Sequence, residues 1–519
     1  MKKARLIRLF KKFHKWPGII ISFFAILYAL SGIVLNHRET FSSFDIPRKL
    51  MPPGYQYKNW NLAAVRGSIE IGSDSILIYG NIGVWLTNYK FDQYEDFNEG
   101  FPKGIDKRKI YTLKLFGSKI IAATHFGLYV TEEKDLNWKK VVLPLKGERI
   151  TDLTIKDDTI VVMTRNHLVK TADFQSMTPV KLPDPMGYQR EIGLFNTLWE
   201  LHSGELFGLA GRLFVDLLGI VIIWLSVSGL LHFFYPKWIK RRKEKKIPAQ
   251  AMISAKRWNL HWHNVIGYLA IIFLIINTIA GMFLRPPLLI PIASKQVGIL
   301  PYTHLDNGNA WHDKLRRIHW NDSLNVFLLS SSEGFYILDE TLTQPPVPTI
   351  NQPPVSVMGL NVLEPVKIDT YLLGSFTGMY VWNIRNGSLI DFMTGKPAAM
   401  TLPSGRPIGT HMVAGWVNSP EKGAVWFDYN HGASPLNAQT IFPEMTKEMF
   451  SKTPTSWWNA ALEVHTGRIF EHLIGPFYIL LVPLAGLCII IVLVSGFFIW
   501  WLAYRKNSQK TLQKNHLQK

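Results

Sequence analysis

Four long apolar runs constrain this 519-residue chain more than any other feature: Trp16 to Leu35, Leu206 to Phe234, Val265 to Leu284 and Leu473 to Tyr504. About 20 apolar residues wound as a helix match the hydrocarbon thickness of a bilayer. A helix is also the form that satisfies its own backbone polar groups there. Only the second run carries charge, at Arg212 and Asp216. The chain is therefore read as a membrane protein with four transmembrane helices.

Basic residues set the orientation. Residues 1 to 15 hold seven Lys/Arg and no acid, residues 237 to 257 hold nine with one acid, and residues 505 to 519 hold five with none. These segments account for essentially the whole net charge of +19. Lys and Arg stay on the cytoplasmic side, so both termini and the central loop are expected inside a bacterial cytoplasmic membrane. The basic charge is topological and points to no nucleic-acid partner. No small-residue cleavage site follows the first run, which reads as an uncleaved anchor. The expected organisation is a basic N-terminus with the first helix (1–37), an external segment (38–200), a second helix (201–236), a basic loop (237–260), a third helix (261–285), a second external segment (286–462), a fourth helix (463–504) and a basic tail (505–519). The single cysteine, Cys488, lies inside the fourth run, so the external segments have no disulfides or thiolate metal sites.

The chain repeats itself. "LWELHSGELFG" (198–208) returns 263 residues later as "ALEVHTGRIFE" (461–471), aligning His202 with His465 and Gly204 with Gly467. "HKWPG" opens the first helix and "HNVIG" the third, aligning His14 with His263, Gly18 with Gly267 and Gly32 with Gly281 at an offset of 249. "SVSGLLHFF" (226–234) resembles "LVSGFFIWW" (493–501) with a shift of four residues, which predicts a longer fourth helix. Parallel repeats of this kind place a pseudo-twofold axis along the membrane normal.

That symmetry sets His14 against His263 near the inner face and His202 against His465 near the outer face. Opposed imidazoles from different helices are what bis-histidine haem iron requires. Two haems b, one per face, are the expected cofactors, with the repeated glycines allowing close approach. The same histidines also suit plain headgroup contacts at the interface. His37, His232, His261 and His472, also near helix ends, are the reserve ligands. Arg212 and Asp216, at i and i+4, can pair. In that arrangement Arg212 neutralises a haem propionate and Asp216 holds its guanidinium, or the two simply satisfy each other.

The His-x-x-x-Gly helix starts, the Leu-His-Ser-Gly segment leading into Gly-Leu-Ala-Gly-Arg and the Ser-Gly helix endings resemble the PepSY-associated transmembrane proteins of bacterial inner membranes. The resemblance covers the four helices. Several members are iron-regulated, and some are similar to di-haem ferric-siderophore reductases. The resemblance implies that His14, His202, His263 and His465 are haem ligands and that the external substrate is a ferric siderophore or related ferric chelate. The external segments depart from the family, because no PepSY module is recognisable in them.

Those segments carry their own period. "GVWLTN" starts at Gly83, "GLYVTE" at Gly127, "HLVKTA" at His167, "GFYILD" at Gly334, "GMYVWN" at Gly378 and "GAVWFD" at Gly423. Most follow a short β-branched or apolar run, so each unit reads as strand, tight turn, strand. Spacings of 40 to 45 residues match β-propeller blades. Three blades do not close a ring, so the expected fold is one all-β external domain, a six-bladed propeller built from both halves. Two separate β-sandwiches are the alternative.

No G-x-G-x-x-G follows a strand in the cytoplasmic segments, so the electron donor is expected to be a membrane quinol or a cytoplasmic reductase. Near the outer face, Arg406, His411 and Met412, with Trp457 and Trp458, are candidates for meeting the acceptor, and the tryptophans equally suit an interfacial belt. A haem-dependent ferric-chelate reductase is thus the leading reading. A non-redox scaffold or sensor is the alternative, and a carrier is disfavoured because little polar chemistry lies at mid-bilayer.

Overall fold

The computed structural model describes residues 3–504 except 133, 134, 136, 146, 357, 401–407 and 438. The chain divides into two compact units, each drawn from both halves of the sequence: Met1–Phe41, Arg190–Asn307 and Trp458–Lys519 in one, Ser42–Gln189 and Gly308–Trp457 in the other.

The first unit is helical. Its main helices are α1 (Lys3–Asn36), α2 (Leu194–Ser203), α3 (Gly208–Glu244), α4 (Gln250–Phe283), α5 (Trp457–His465) and α6 (Leu481–Ala503). Four spans are long and apolar enough to cross a membrane: Lys3–Asn36, Glu205–Glu244, Gln250–Phe283 and Arg468–Ala503. α1 packs against α3 and α6, and α4 packs against the same two, so α1 and α4 lie across the bundle from each other. Most residues turned inward are small or polar, Ser22, Ala25, Ala29 and Ser31 on α1, Gly211, Asp216 and Ser228 on α3, Asn259 and Ala280 on α4, Ala485, Gly486 and Ser495 on α6, with Ile21, Leu218, Ile271, Leu274 and Pro483 buried among them. Large residues such as Ile20, Phe23, Leu269, Ile272 and Leu484 point outward, as lipid contact requires.

The duplicated motif has a local structural cause. In both copies a short helix ends within two residues of a left-handed glycine, Gly204 (φ 82°) directly after α2 and Gly467 (φ 76°) two residues after the end of α5. Left-handed backbone favours glycine, so the motif is a helix stop. It holds His202 and His465 on the last turn before a 3₁₀ turn and the next membrane span. The fourth apolar run is not one longer helix, as its four-residue shift had suggested. Residues Arg468–Phe470, Glu471–Ile474 and Gly475–Leu480 form short 3₁₀ and α pieces before α6 begins. Gly475 is left-handed (φ 56°) and Pro476 lacks an N–H, so the helical ladder is interrupted there. Glu191–Gly193 pairs antiparallel with Gln296–Gly298, so residues 190–200 and 286–307 fold with the helices.

The second unit is all β. Six antiparallel meanders succeed one another along the chain, starting at Gly67, Ile110, Ile150, Leu315, Val362 and Val413; the first five have four strands and the sixth has three among the described residues. The repeated segments at Gly83, Gly127, Leu168, Phe335 and Gly378 are the third strands of their sheets. The sixth segment, Gly423–Asp428, is the second strand of its sheet, joined by a turn to Val413–Ser419, and the third begins at Gly432.

Neighbouring sheets share apolar clusters. Leu77 and Val84 of sheet one pack with Leu113 and Ile120 of sheet two, Ile121 with Leu153 and Ile160 of sheet three, and Val161 and Met163 with Leu315 and Phe327 of sheet four. Leu328 packs with Leu363 and Tyr371 of sheet five, Val362 with Val413 of sheet six, and Val417 and Phe427 with Ile76 and Trp85 of sheet one. Where sheets three and four meet, buried Asp152 accepts from Arg317 Nε (2.8 Å), the Ile318 amide (2.9 Å) and Thr112 Oγ1 (2.5 Å). Asp45–Ile46 pairs with Thr455–Ser456, joining the two ends of this unit.

Candidate functional site

Packing of the four long helices brings the duplicated histidines together in two pairs. The rings of His14 and His263 have centroids 6.1 Å apart, and those of His202 and His465 are 5.9 Å apart. Each pair spans the pseudo-twofold, one ring from each half of the sequence.

Every one of the four rings is oriented by a hydrogen bond at Nδ1. His14 Nδ1 lies 2.9 Å from Val492 O, His202 Nδ1 3.0 Å from Asn277 O, and His465 Nδ1 3.0 Å from Tyr28 O. A backbone carbonyl only accepts, so Nδ1 carries the proton and the neutral ring keeps its lone pair on Nε2. His263 reaches the same state through Ser228. The hydroxyl donates to Leu225 O (3.2 Å), and its oxygen accepts from His263 Nδ1 at 2.8 Å. No hydrogen-bond partner occupies Nε2 of any of the four among the described residues.

The carbonyls are reachable because a glycine lies beside each ring. Val492 precedes Gly496, Asn277 precedes Gly281 and Tyr28 precedes Gly32 by one helical turn, and Ser228 directly precedes Gly229. A methyl group on Gly281 would lie 2.5 Å from His202, on Gly496 2.8 Å from His14, on Gly32 3.2 Å from His465, and on Gly229 3.5 Å from His263. Serine next to the glycine helps at three of the four. Ser31 Oγ is 3.0 Å from His465 Nδ1, and Ser495 Oγ donates to Val492 O at 3.1 Å. The fourth helix has Ala280 there, and Asn277 Nδ2 donates back to His202 O at 2.8 Å.

This arrangement fits a metal held between two imidazoles. An iron–nitrogen bond of about 2 Å on each side puts opposed ring centroids roughly 6 Å apart. Nδ1–H bonded to a carbonyl is the outer contact that fixes a ligating histidine's tautomer. Unpartnered donors surround both levels. Arg212, Arg285 and Arg468 each have a buried Nε with no hydrogen-bond partner, as has the Tyr28 hydroxyl, although Arg468 Nη2 already donates to Glu463 Oε1 at 2.5 Å. Arg468 follows His465 by three residues, Arg285 follows Gly281 by four, and the Tyr28 ring is 6.0 Å from that of His465. At the inner level Trp224 Nε1 and His232 Nδ1 are likewise buried without partners. A cofactor bearing carboxylates suits guanidinium groups left in this state.

Other expected residues lie elsewhere. Arg212 and Asp216 are not paired. Asp216 accepts from Asn36 Nδ2 (2.9 Å) and meets His37 Nε2 at 2.8 Å, because the end of α1 lies against α3. That contact occupies Nε2 of His37, a reserve ligand, and leaves Arg212 free for another anion. His472 is exposed, with Nδ1 2.7 Å from Ile469 O, and His261 is exposed with its ring edge to face against its neighbour Trp262. Trp458 Nε1 donates to Leu35 O at 3.1 Å, and the Arg38 guanidinium lies 3.8 Å over its ring, so this tryptophan is anchored on the end of α1. Trp457 is half-exposed beside Phe44. In the β unit, His411 stands edge-on to Trp426 and Met412 Sδ accepts from Asn430 Nδ2 at 3.4 Å. Arg406 lies outside the described residues. Sequence reasoning missed Ser31, Tyr28, Ser228, Asn277, Arg285, Arg468 and Ser495. The available signal was a Ser-Gly or Ala-Gly pair in each of the four long helices.

A family model described as "PepSY-associated TM region" matches residues 2–235 and again 237–503. No curated protein matches. Among solved structures, the extracellular domain of the hybrid two-component system BT4673 from B. thetaiotaomicron is similar with 11% identity and a TM-score of 0.32, covering 73% of this chain and 39% of that one. PorZ of the Porphyromonas gingivalis type-IX secretion system is similar with 10% identity and a TM-score of 0.31, covering 71% and 32%. The computationally designed Ika8 protein has 9% identity and a TM-score of 0.26, covering 72% and 96%. The chain thus spans about two fifths or less of the first two.

Proposed function

From the premise that this chain belongs to the PepSY-associated TM region family, we propose that it is a b-type di-haem electron-transfer protein of a bacterial inner membrane. His202 and His465 would hold the outer haem, and His14 and His263 the inner one. Arg212, Arg285 and Arg468 would receive carboxylates at the outer level. Bound haem supplies one-electron redox chemistry at each level.

The observation that carries this reading is the set of four rings with Nδ1 protonated by contact and Nε2 left open, opposed in pairs about 6 Å apart. Preset tautomers require no rearrangement of the chain when metal enters. Gly32, beside the outer pair, lies 18 residues along α1 from His14 of the inner pair. At 1.5 Å per residue that is roughly 27 Å, close to a bilayer core. The basic termini and basic 237–257 loop support a cytoplasmic inner level and a periplasmic β unit.

Electrons would leave at the outer level to a ferric siderophore or related ferric chelate. Hard oxygen donors hold Fe(III) far better than Fe(II), so reduction loosens the iron. The donor at the inner side would be a membrane quinol or a cytoplasmic reductase. We read the β unit as a six-bladed propeller. The support is the succession of apolar clusters joining each sheet to the next and the sixth to the first.

An optical spectrum with pyridine-haemochrome quantification tests the proposal. Two haems b per chain are expected, with one lost in His202→Ala and the other in His14→Ala. A colourless, folded preparation from haem-replete cells overturns it and leaves a membrane-anchored scaffold or sensor.

A further inference from the structure

Between α3 and α4 the chain turns back on itself at the basic end of the bundle. Lys246 is left-handed (φ 55°), and the amides of Lys245 and Ile247 donate to Arg241 O (3.2 Å) and Arg242 O (2.9 Å). Ile247 is thereby folded onto the last turn of α3. The turn borders an open surface cavity of about 360 Å3 lined by Trp238, Arg241, Arg242, Lys245, Ile247 and Met252.

The lining has two characters. Arg241, Arg242 and Lys245 supply three cations, and Trp238, Ile247 and Met252 supply apolar surface. None of the three cations is paired with a carboxylate among the described residues. Glu244, the one acid in this stretch, is directed to Lys240 at 3.8 Å. The three cations are exposed and lie close together without a carboxylate among them, so their summed field attracts an anion. Trp238 also stacks on Phe234, with centroids 5.7 Å apart, and Phe234 is exposed on the apolar flank of α3. An occupant can therefore place an anionic head in the cavity while its apolar part continues along the helix.

We propose that this cavity binds the phosphate of an acidic glycerophospholipid headgroup. A phosphate group accepts from two guanidiniums and an ammonium at once. The apolar half of the lining favours a lipid over free phosphate, because glycerol and acyl carbons cover Trp238, Ile247 and Met252. Basic pockets at the cytoplasmic ends of membrane helices bind such headgroups. This site is separate from the histidine pairs and holds whether or not haem does.

The test uses the full-length protein in detergent, titrated with phosphatidylglycerol, phosphatidylcholine or inorganic phosphate. Retained lipid is counted by native mass spectrometry, and thermal stability is followed in parallel. Wild type is expected to retain phosphatidylglycerol selectively. Arg241→Gln/Arg242→Gln is expected to weaken retention by about tenfold or more. Arg241→Lys/Arg242→Lys, which keeps the charge, should retain most of it. Lys237→Gln/Lys243→Gln, outside the cavity and equal in net charge, should bind as wild type does. Equal loss in that control would assign the effect to the general field of the loop and overturn the site. So would inorganic phosphate stabilising the protein as well as the lipid does, or wild type that does not discriminate phosphatidylglycerol from phosphatidylcholine.

Discussion

Gly281→Ala is the sharpest test of the histidine geometry. The added methyl would lie 2.5 Å from His202 Cε1 and 2.9 Å from its Nδ1, whereas at Gly229 it would lie 3.5 Å from His263 Cε1. Carbon contacts are comfortable near 3.5–4.0 Å, so only the first variant forces its ring to move. Overpacking of that size costs about 1–3 kcal/mol. Swinging His202 away also breaks its bond to Asn277 O, worth about 1 kcal/mol. The sum of about 2–4 kcal/mol corresponds to roughly 30- to 1,000-fold weaker cofactor binding at the outer level. Alanine improves helix propensity at both positions by about 1 kcal/mol, so neither variant should fail as a helix. Haem per chain, measured by pyridine haemochrome after passage through apo-myoglobin as a haem trap, should fall from two to one in Gly281→Ala and stay at two in Gly229→Ala. Two retained haems with an unshifted spectrum in Gly281→Ala, or equal loss in Gly229→Ala, would refute the reasoning.

Gly496→Ala, with its methyl 2.8 Å from His14, should release the inner haem instead, seen as loss of the complementary component of the α band. Arg285→Gln removes a cation beside the outer level and should lower that haem's midpoint potential by roughly 30–60 mV in a redox titration. In the β unit, Asp152→Ala leaves buried Arg317 without its counter-charge and should cost about 3–5 kcal/mol, read as a lower melting temperature of the domain. Burial, reinforced by the nearby Lys114 charge, pushes His319 down to about 4. Its unfolded form binds a proton below about 6.5 while the folded form stays neutral, so stability is present at pH 7 and lost as pH falls from about 6.5 toward 4. The loss should be on the order of 1–2 kcal/mol at pH 5 by thermal unfolding, and His319→Asn should remove most of it.

Much of the architecture was legible because it follows from local rules. Apolar runs of bilayer length specify helices, and the β periodicity marked a strand–turn–strand hairpin in each of six sheets. Which strand of its sheet each segment forms was not legible, because Gly423 and Gly432 both open strands in the sixth sheet. Asp216 was misassigned because a local rule was applied to it. The i,i+4 rule places Arg212 within reach, but Asn36 and His37 come from 180 and 179 residues away in the chain.

Duplication in the primary structure suffices to say that His14 corresponds to His263 and His202 to His465, since repeated chain segments adopt repeated local conformations. It also suffices for the left-handed stops at Gly204 and Gly467, which depend on φ alone. Which group receives each Nδ1, which glycine makes room for each ring and which arginine Nε groups are left without partners are decided by contacts between helices 35 to 478 residues apart in the chain. Local periodicity holds no information about those contacts, because they depend on how four helix surfaces interlock.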